Sequence, residues 1–163
     1  MDIMSTEKRS RLMARIREKD TTPEKTIAIL LAAGGLTFEQ HCRDLPGRPD
    51  FVFRKEMVAV FVDGDFWHGW RYPVWEHRMS DKWRAKIAET RPRDRLAQRR
   101  LRRMGWNVIR VWEHQIEENR LACVQRVIQS LEGKTVAWNR VRNAESALPK
   151  MQRRNRLPRA KPN

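Results

Sequence analysis

Residues 48–69, RPDFVFRKEMVAVFVDGDFWHG, decide how this chain folds. Two apolar runs, DFVF and MVAVFV, flank the polar link RKE, and Pro46 and Gly47 punctuate the approach. Runs rich in valine and phenylalanine, bounded by turn residues, read as strands, and a short polar link makes a hairpin the economical pairing. Asp50 then opens one strand and Asp63 closes the next, so the two carboxylates can meet at one edge of a sheet. Carboxylates gathered there can hold a divalent cation through oxygen, with a substrate phosphate completing the shell. The competing reading makes them turn and strand-end acids paired with Arg48 or Arg71.

Upstream of the hairpin, Thr22-Pro23-Glu24 supplies a capping hydroxyl, a proline at the first helical position and a first-turn acid. The helix runs through EKTIAILLAA until Gly34 and Gly35 end it. LTFEQH is a short strand candidate. Earlier still, residues 5–19 place Leu12, Met13 and Ile16 on one face of a basic helix. Downstream, residues 64–80 are aromatic and irregular, and residues 81–104 are helical in composition, with Pro92 expected to kink or divide that helix. WNVIRVW, residues 106–112, reads as a further strand. A helix near residues 115–131 carries Ile116, Leu121, Val124, Val127, Ile128 and Leu131 as its buried stripe. After Gly133 come nine basic residues against one acid, Glu145, with three prolines, which reads as a mostly disordered cationic tail.

A chain of 163 residues supports one hydrophobic core. Its 35 Lys plus Arg against 20 Asp plus Glu leave a net charge of +15, the footprint of a phosphate-backbone binder. Nucleic acid is the expected partner; a solvated or ribosome-associated surface is the plainer alternative. No run approaches the ~18 apolar residues of a membrane span, and MDIMSTEKRSR lacks a signal peptide's apolar centre. A soluble, cytoplasmic, DNA-associated protein is expected. Cys42 and Cys123 form no metal-binding or disulfide pattern.

Taken in order, LPGRPDFVF, VAVFVDGDFWHG, DKWRAKI and RDRLAQRRLRRMGWNVIRVWE resemble the very-short-patch repair endonucleases over roughly residues 6–131. The resemblance implies an α/β restriction-endonuclease-like (PD-(D/E)xK) core, with a mixed central sheet flanked by helices. Residues 1–132 would form that nuclease domain with its N-terminal basic helix, and residues 133–163 the tail. It implies an Mg²⁺-dependent endonuclease that nicks double-stranded DNA beside a thymine–guanine mismatch. Asp50 matches the principal metal ligand, and the backbone carbonyl of Val62 a second. His68 matches the general base or water-orienting group, and Glu24 a glutamate reaching a water on the metal. Phe66, Trp67 and Trp83 match a wedge inserted between base pairs, with Met13 and Arg48 as further DNA contacts. Unstacking is least unfavourable at a mismatched step, so a wedge selects such sites.

Two departures stand out. The family pattern has a histidine where this chain has Asp63, which would then support the metal directly or through water. The family's structural zinc ligands fall on Asp65, Trp70, Tyr72 and His114, two of which cannot serve. Folding without zinc is therefore expected, with Asp65 hydrogen-bonded directly to His114; a rebuilt site recruiting His77 is the competitor. A restriction or defence nuclease with another target, and a non-catalytic DNA-binding protein, are the alternative functions. A monomer is expected, with mismatch-repair proteins as possible recruiting partners.

Overall fold

The computed structural model describes residues 22–151. Met13, the helix expected over residues 5–19 and the end of the expected tail lie outside them. Helix α1 (Thr22–Ala33) opens where the Thr-Pro-Glu signal placed it, and the Thr26 hydroxyl donates to the Thr22 carbonyl at 2.9 Å. Strands β1 (Glu39–Gln40), β2 (Phe51–Phe53) and β3 (Val58–Asp63) follow. After a short α2 (Tyr72–Trp75) and one 3-10 turn come α3 (Asp81–Arg103), β4 (Asn107–Trp112), α4 (Glu113–Gln129) and α5 (Trp138–Ala147).

The sheet runs β1-β2-β3-β4. β2 and β3 form the antiparallel hairpin, with Phe51 opposite Val60 and Phe53 opposite Val58. Met57 belongs to the turn rather than the strand, at φ 54°. β3 and β4 are parallel, Val62 beside Val111, which requires a long crossover. α3 supplies it and is not divided at Pro92. The ring removes one N–H, so the Ala88 carbonyl loses one donor while the rest of the ladder continues.

Strand alternation splits the core in two. On one face Phe51, Phe53, Val60, Val62 and Val111 pack with Ile27, Leu30 and Leu31 of α1 and with Ile116, Val124 and Val127 of α4. On the other, Val52 and Ala59 meet Leu101 at the end of α3 and Trp106. Both C-terminal ends of the parallel pair open at the same edge.

The expected tail is corrected in part. Residues 138–147 form α5, whose Val141 is wholly buried against the α1 and α4 face. Arg120 clamps it, donating to Glu145 Oε1 at 2.8 Å and to the carbonyls of Glu145, Leu148 and Pro149. Sparse apolar content hid this helix, because only Val141 is buried outright, with Trp138, Ala144 and Leu148 packed partly against the same core. Val141→Ala is expected to lower stability by about 1.5 to 3 kcal/mol, and truncation after Gly133 by more. Chemical denaturation of the three proteins checks this; a truncation at 133 with wild-type stability would refute the docking.

Candidate active site

Asp50 sits one residue ahead of β2, and its N–H still pairs with the Val60 carbonyl at 2.9 Å. Its carboxylate accepts the Val62 N–H at 2.7 Å. Within a strand the N–H and C=O of one residue project to the same side, so the Val62 carbonyl also faces Asp50. The Val62 side chain is buried on the core face and takes no part. Glu24 reaches this edge from the first turn of α1 and is 6% exposed.

His41 completes the group. β1 pairs with β2 with Glu39 opposite Val52 and Gln40 opposite Phe51, a register that sets His41 opposite Asp50. The His41 N–H donates to the Asp50 carbonyl at 3.1 Å. Ligating atoms of Glu24, His41 and Asp50 lie within 4.8 Å of one another, the one such group of three among the described residues. Burial pushes the Asp50 carboxyl up to about 7; the Val62 N–H opposes this, and the charges of Glu24 and Asp63 add to it. Two carboxylates and an imidazole crowded this way suit a divalent cation, which would relieve the repulsion.

A second constellation lies at the C-terminal end of β3. His68 Nδ1 is 2.7 Å from Asp94 Oδ2 and 3.4 Å from Asp63 Oδ1. A carboxylate can only accept, so the proton sits on Nδ1 and Nε2 is left as an acceptor. Burial alone would lower the His68 pKa, but the Asp94 hydrogen bond and the charges of Asp63 and Asp94 outweigh it, and the value rises above its ordinary 6.5. Gly69 makes the approach feasible: at φ 69°, an added Cβ would lie 2.8 Å from Arg91 Cδ and 3.0 Å from Ile87 Cγ2. Only glycine lets the loop press this close to α3.

Asp63 is 3% exposed. It is ion-paired with Arg110 Nε on β4 and lies outside the group of three. The Arg110 guanidinium is 4.6 Å from the Trp112 ring, and the Gln98 amide oxygen, turned toward it, accepts at 3.2 Å. A cleft of about 210 Å³ is lined by His68 and Asp94 together with Arg71, Arg91, Arg95 and Arg110.

Phe66, Trp67 and Trp83 meet edge-on, with ring centroids 5.3 to 5.6 Å apart. All three are half-buried, so the trio expected to form a wedge is assembled and partly open to solvent. Arg48 is exposed at φ 54° in the turn before Asp50. Across the loop, Asp65 Oδ1 accepts from His114 Nδ1 at 2.7 Å, the direct bond expected of this pair. Trp70 stacks on His114 at 4.5 Å and touches Trp112 at 5.1 Å. Tyr72 packs instead on Ile87.

A family model described as DNA mismatch endonuclease Vsr matches residues 1–73. The type II nicking enzyme V.NmeDIP of Neisseria meningitidis serogroup C is 36% identical over 140 residues, 82% of this chain and 93% of that protein. The DNA mismatch endonuclease Vsr of Escherichia coli K12 is 37% identical over 114 residues, 69% of this chain and 73% of its own length.

The chain belongs to the Vsr family.

The type II nicking enzyme V.XorIIP of Xanthomonas oryzae, at 39% identity over 72% of this chain and 88% of its own, is a further relative. As a Vsr-family protein the chain is a DNA endonuclease, a hydrolase of phosphodiester bonds, and its mixed four-stranded sheet between helices is the restriction-endonuclease-like arrangement. Among the described residues no helix is long and apolar enough to cross a membrane. Of the residues that sequence reasoning singled out, the structure gathers Glu24 and Asp50 in one group and His68 and Asp63 in the other. It adds His41, Asp94 and Arg110, which that reasoning missed.

Proposed function

We propose that this endonuclease nicks one strand of duplex DNA beside a thymine–guanine mismatch, using Mg²⁺. The observation that carries this reading is the Asp94-held imidazole set beside a carboxylate group able to hold a cation. Asp50, Glu24 and the Val62 carbonyl would hold the ion, which supplies charge to the phosphate and lowers the pKa of water. His68 Nε2 accepts the proton of the attacking water, while Asp94 keeps the ring in the accepting tautomer. Because its pKa is raised, that neutral form fills as pH climbs past a value above 6.5. Arg110 presents its guanidinium to the phosphate, with Arg71, Arg91 and Arg95 on the cleft walls. Asp63 acts through Arg110, which it holds in place.

The deciding experiment incubates mismatched and matched duplexes with Mg²⁺ or with chelator. Nicking of the mismatched duplex alone, lost with chelator, is the expected result. Equal nicking of both duplexes would favour a restriction or defence nuclease, and none at all a non-catalytic DNA-binding protein. Trp67→Ala is expected to reduce the preference for the mismatch by ~1 to 3 kcal/mol, with a smaller effect on matched DNA, since phosphate contacts position while stacking selects. Equal losses on both duplexes would reduce Trp67 to a packing residue.

The Asp65–His114 bond under Trp70 is proposed to tether the catalytic loop to the end of β4 without zinc. His114→Ala is then expected to lower stability by about 1 to 3 kcal/mol and to slow nicking through misplaced His68. Elemental analysis of protein purified without chelator checks the premise. Stoichiometric zinc, with unfolding on its removal, would refute it.

A further inference from the structure

We infer that His41 is a direct ligand of the active-site cation and that the site therefore takes Mn²⁺ in preference to Mg²⁺. The inference rests on the proposed metal-dependent reading and concerns which ion the site selects. The β1–β2 register, continued one residue beyond the strands, brings the His41 backbone alongside Asp50. The His41 N–H bond to the Asp50 carbonyl, 3.1 Å, holds the two residues together there. His41 adopts φ 52° to do so, a left-handed conformation in which histidine is several-fold enriched. Its ring nitrogen, Glu24 and Asp50 then fall within 4.8 Å of one another.

Bonds of about 2.1 Å place cis ligand atoms about 3 Å apart and trans ones about 4.2 Å apart, so the three atoms close on one ion with small side-chain adjustments. The donor set is what discriminates. Mg²⁺ prefers six oxygens and dehydrates reluctantly, whereas first-row transition ions accept imidazole nitrogen more readily, Mn²⁺ the least of them but more than Mg²⁺. An all-oxygen site favours neither so strongly. A nitrogen in the shell tilts the balance to Mn²⁺, with abundant Mg²⁺ still able to occupy the site at higher concentration.

The test uses the metal-free full-length protein without DNA, titrated calorimetrically with Mn²⁺ and with Mg²⁺. Pulsed electron paramagnetic resonance of the Mn²⁺-loaded protein reads nitrogen coordination directly. Wild type is expected to bind Mn²⁺ at least about tenfold more tightly than Mg²⁺. His41→Gln, which keeps an oxygen donor, is expected to weaken Mn²⁺ by on the order of tenfold or more and Mg²⁺ by less, and to abolish the ¹⁴N coupling. Absence of that coupling in wild type, which needs no variant to fold, overturns the inference. So does unchanged Mn²⁺ affinity in His41→Gln. If Asp50→Asn abolishes Mn²⁺ binding while His41→Gln does not weaken it, this inference falls and the metal-dependent reading stands; if neither variant affects it, both fall.

Discussion

Asp50→Asn is expected to abolish nicking and yet to make the metal-free protein more stable than wild type above pH 7. Loss of nicking follows from loss of the charged oxygen at the centre of the cation group. The gain in stability follows from linkage. The Asp50 carboxyl titrates near 7 in the folded chain against 3.8 for the free side chain. Between those values the folded state keeps a proton that the unfolded state has released, so stability falls as pH rises through this window and levels off above it. Roughly three pH units at ~1.4 kcal/mol each amount to about 4 kcal/mol. Asparagine escapes this loss, because it stays neutral and its amide oxygen can still accept the Val62 N–H. Urea denaturation in chelator should show the two proteins converging toward pH 4 and diverging toward pH 8, with added divalent cation reversing their order. DNA binding at low salt should survive the substitution. A variant that nicks near the wild-type rate, or one that is less stable at pH 8 in chelator, would contradict this account of the site.

Arg110→Ala is expected to lower stability by about 3 to 5 kcal/mol, the usual consequence of stranding one member of a buried pair. Asp63 is 3% exposed and Arg110 is its ion-pair partner, so alanine leaves a carboxylate facing Asp50 and Asp94 with only His68 for compensation. Asp63→Asn combined with Arg110→Met removes both charges, keeps much of the volume and should recover most of the stability. Nicking should remain low in that double variant, because the cleft has lost the guanidinium proposed to meet the phosphate. Arg110→Lys separates charge from shape, since lysine cannot reproduce the planar fork. If the double variant nicks at the wild-type rate, Arg110 serves only the fold.

The parts of this molecule that strong local patterns describe were legible. The hairpin follows from two apolar runs and a polar turn, α1 from its Thr-Pro-Glu start, and β4 from WNVIRVW. Asp50 was found because it stands at a strand start, where its side chain reaches the sheet edge; Glu24 read locally only as a first-turn acid, and its place at the site came from the family resemblance. His41 was missed because β1 has only two residues, too few to fix a register from sequence; once that register is known, its place opposite Asp50 is immediate. Asp94 left a usable signal. It stands seven residues from both Ile87 and Leu101, so it shares their inward face with Thr90 and Gln98, and an acid on a buried helical face asks for a partner. Arg110 likewise breaks the run of a strand whose neighbours Ile109 and Val111 are buried, but which acid it meets depends on the parallel pairing, which no local pattern encodes. The helix α5 escaped because its docking depends mainly on Val141 and on Arg120, distant in sequence.

That last helix has a bearing on when the enzyme comes into being. α5 packs against α1, and the Ala137 N–H bonds to the Gly34 carbonyl at 3.2 Å, so the segment that seats the Glu24 helix is made more than a hundred residues after it. A chain still growing on a ribosome can form its hairpin early, but the helix bearing Glu24 lacks its clasp until residues 138–147 have emerged. Until then the Glu24 helix has the sheet face to rest on but not the contacts that Ala137 and Val141 add from later in the chain.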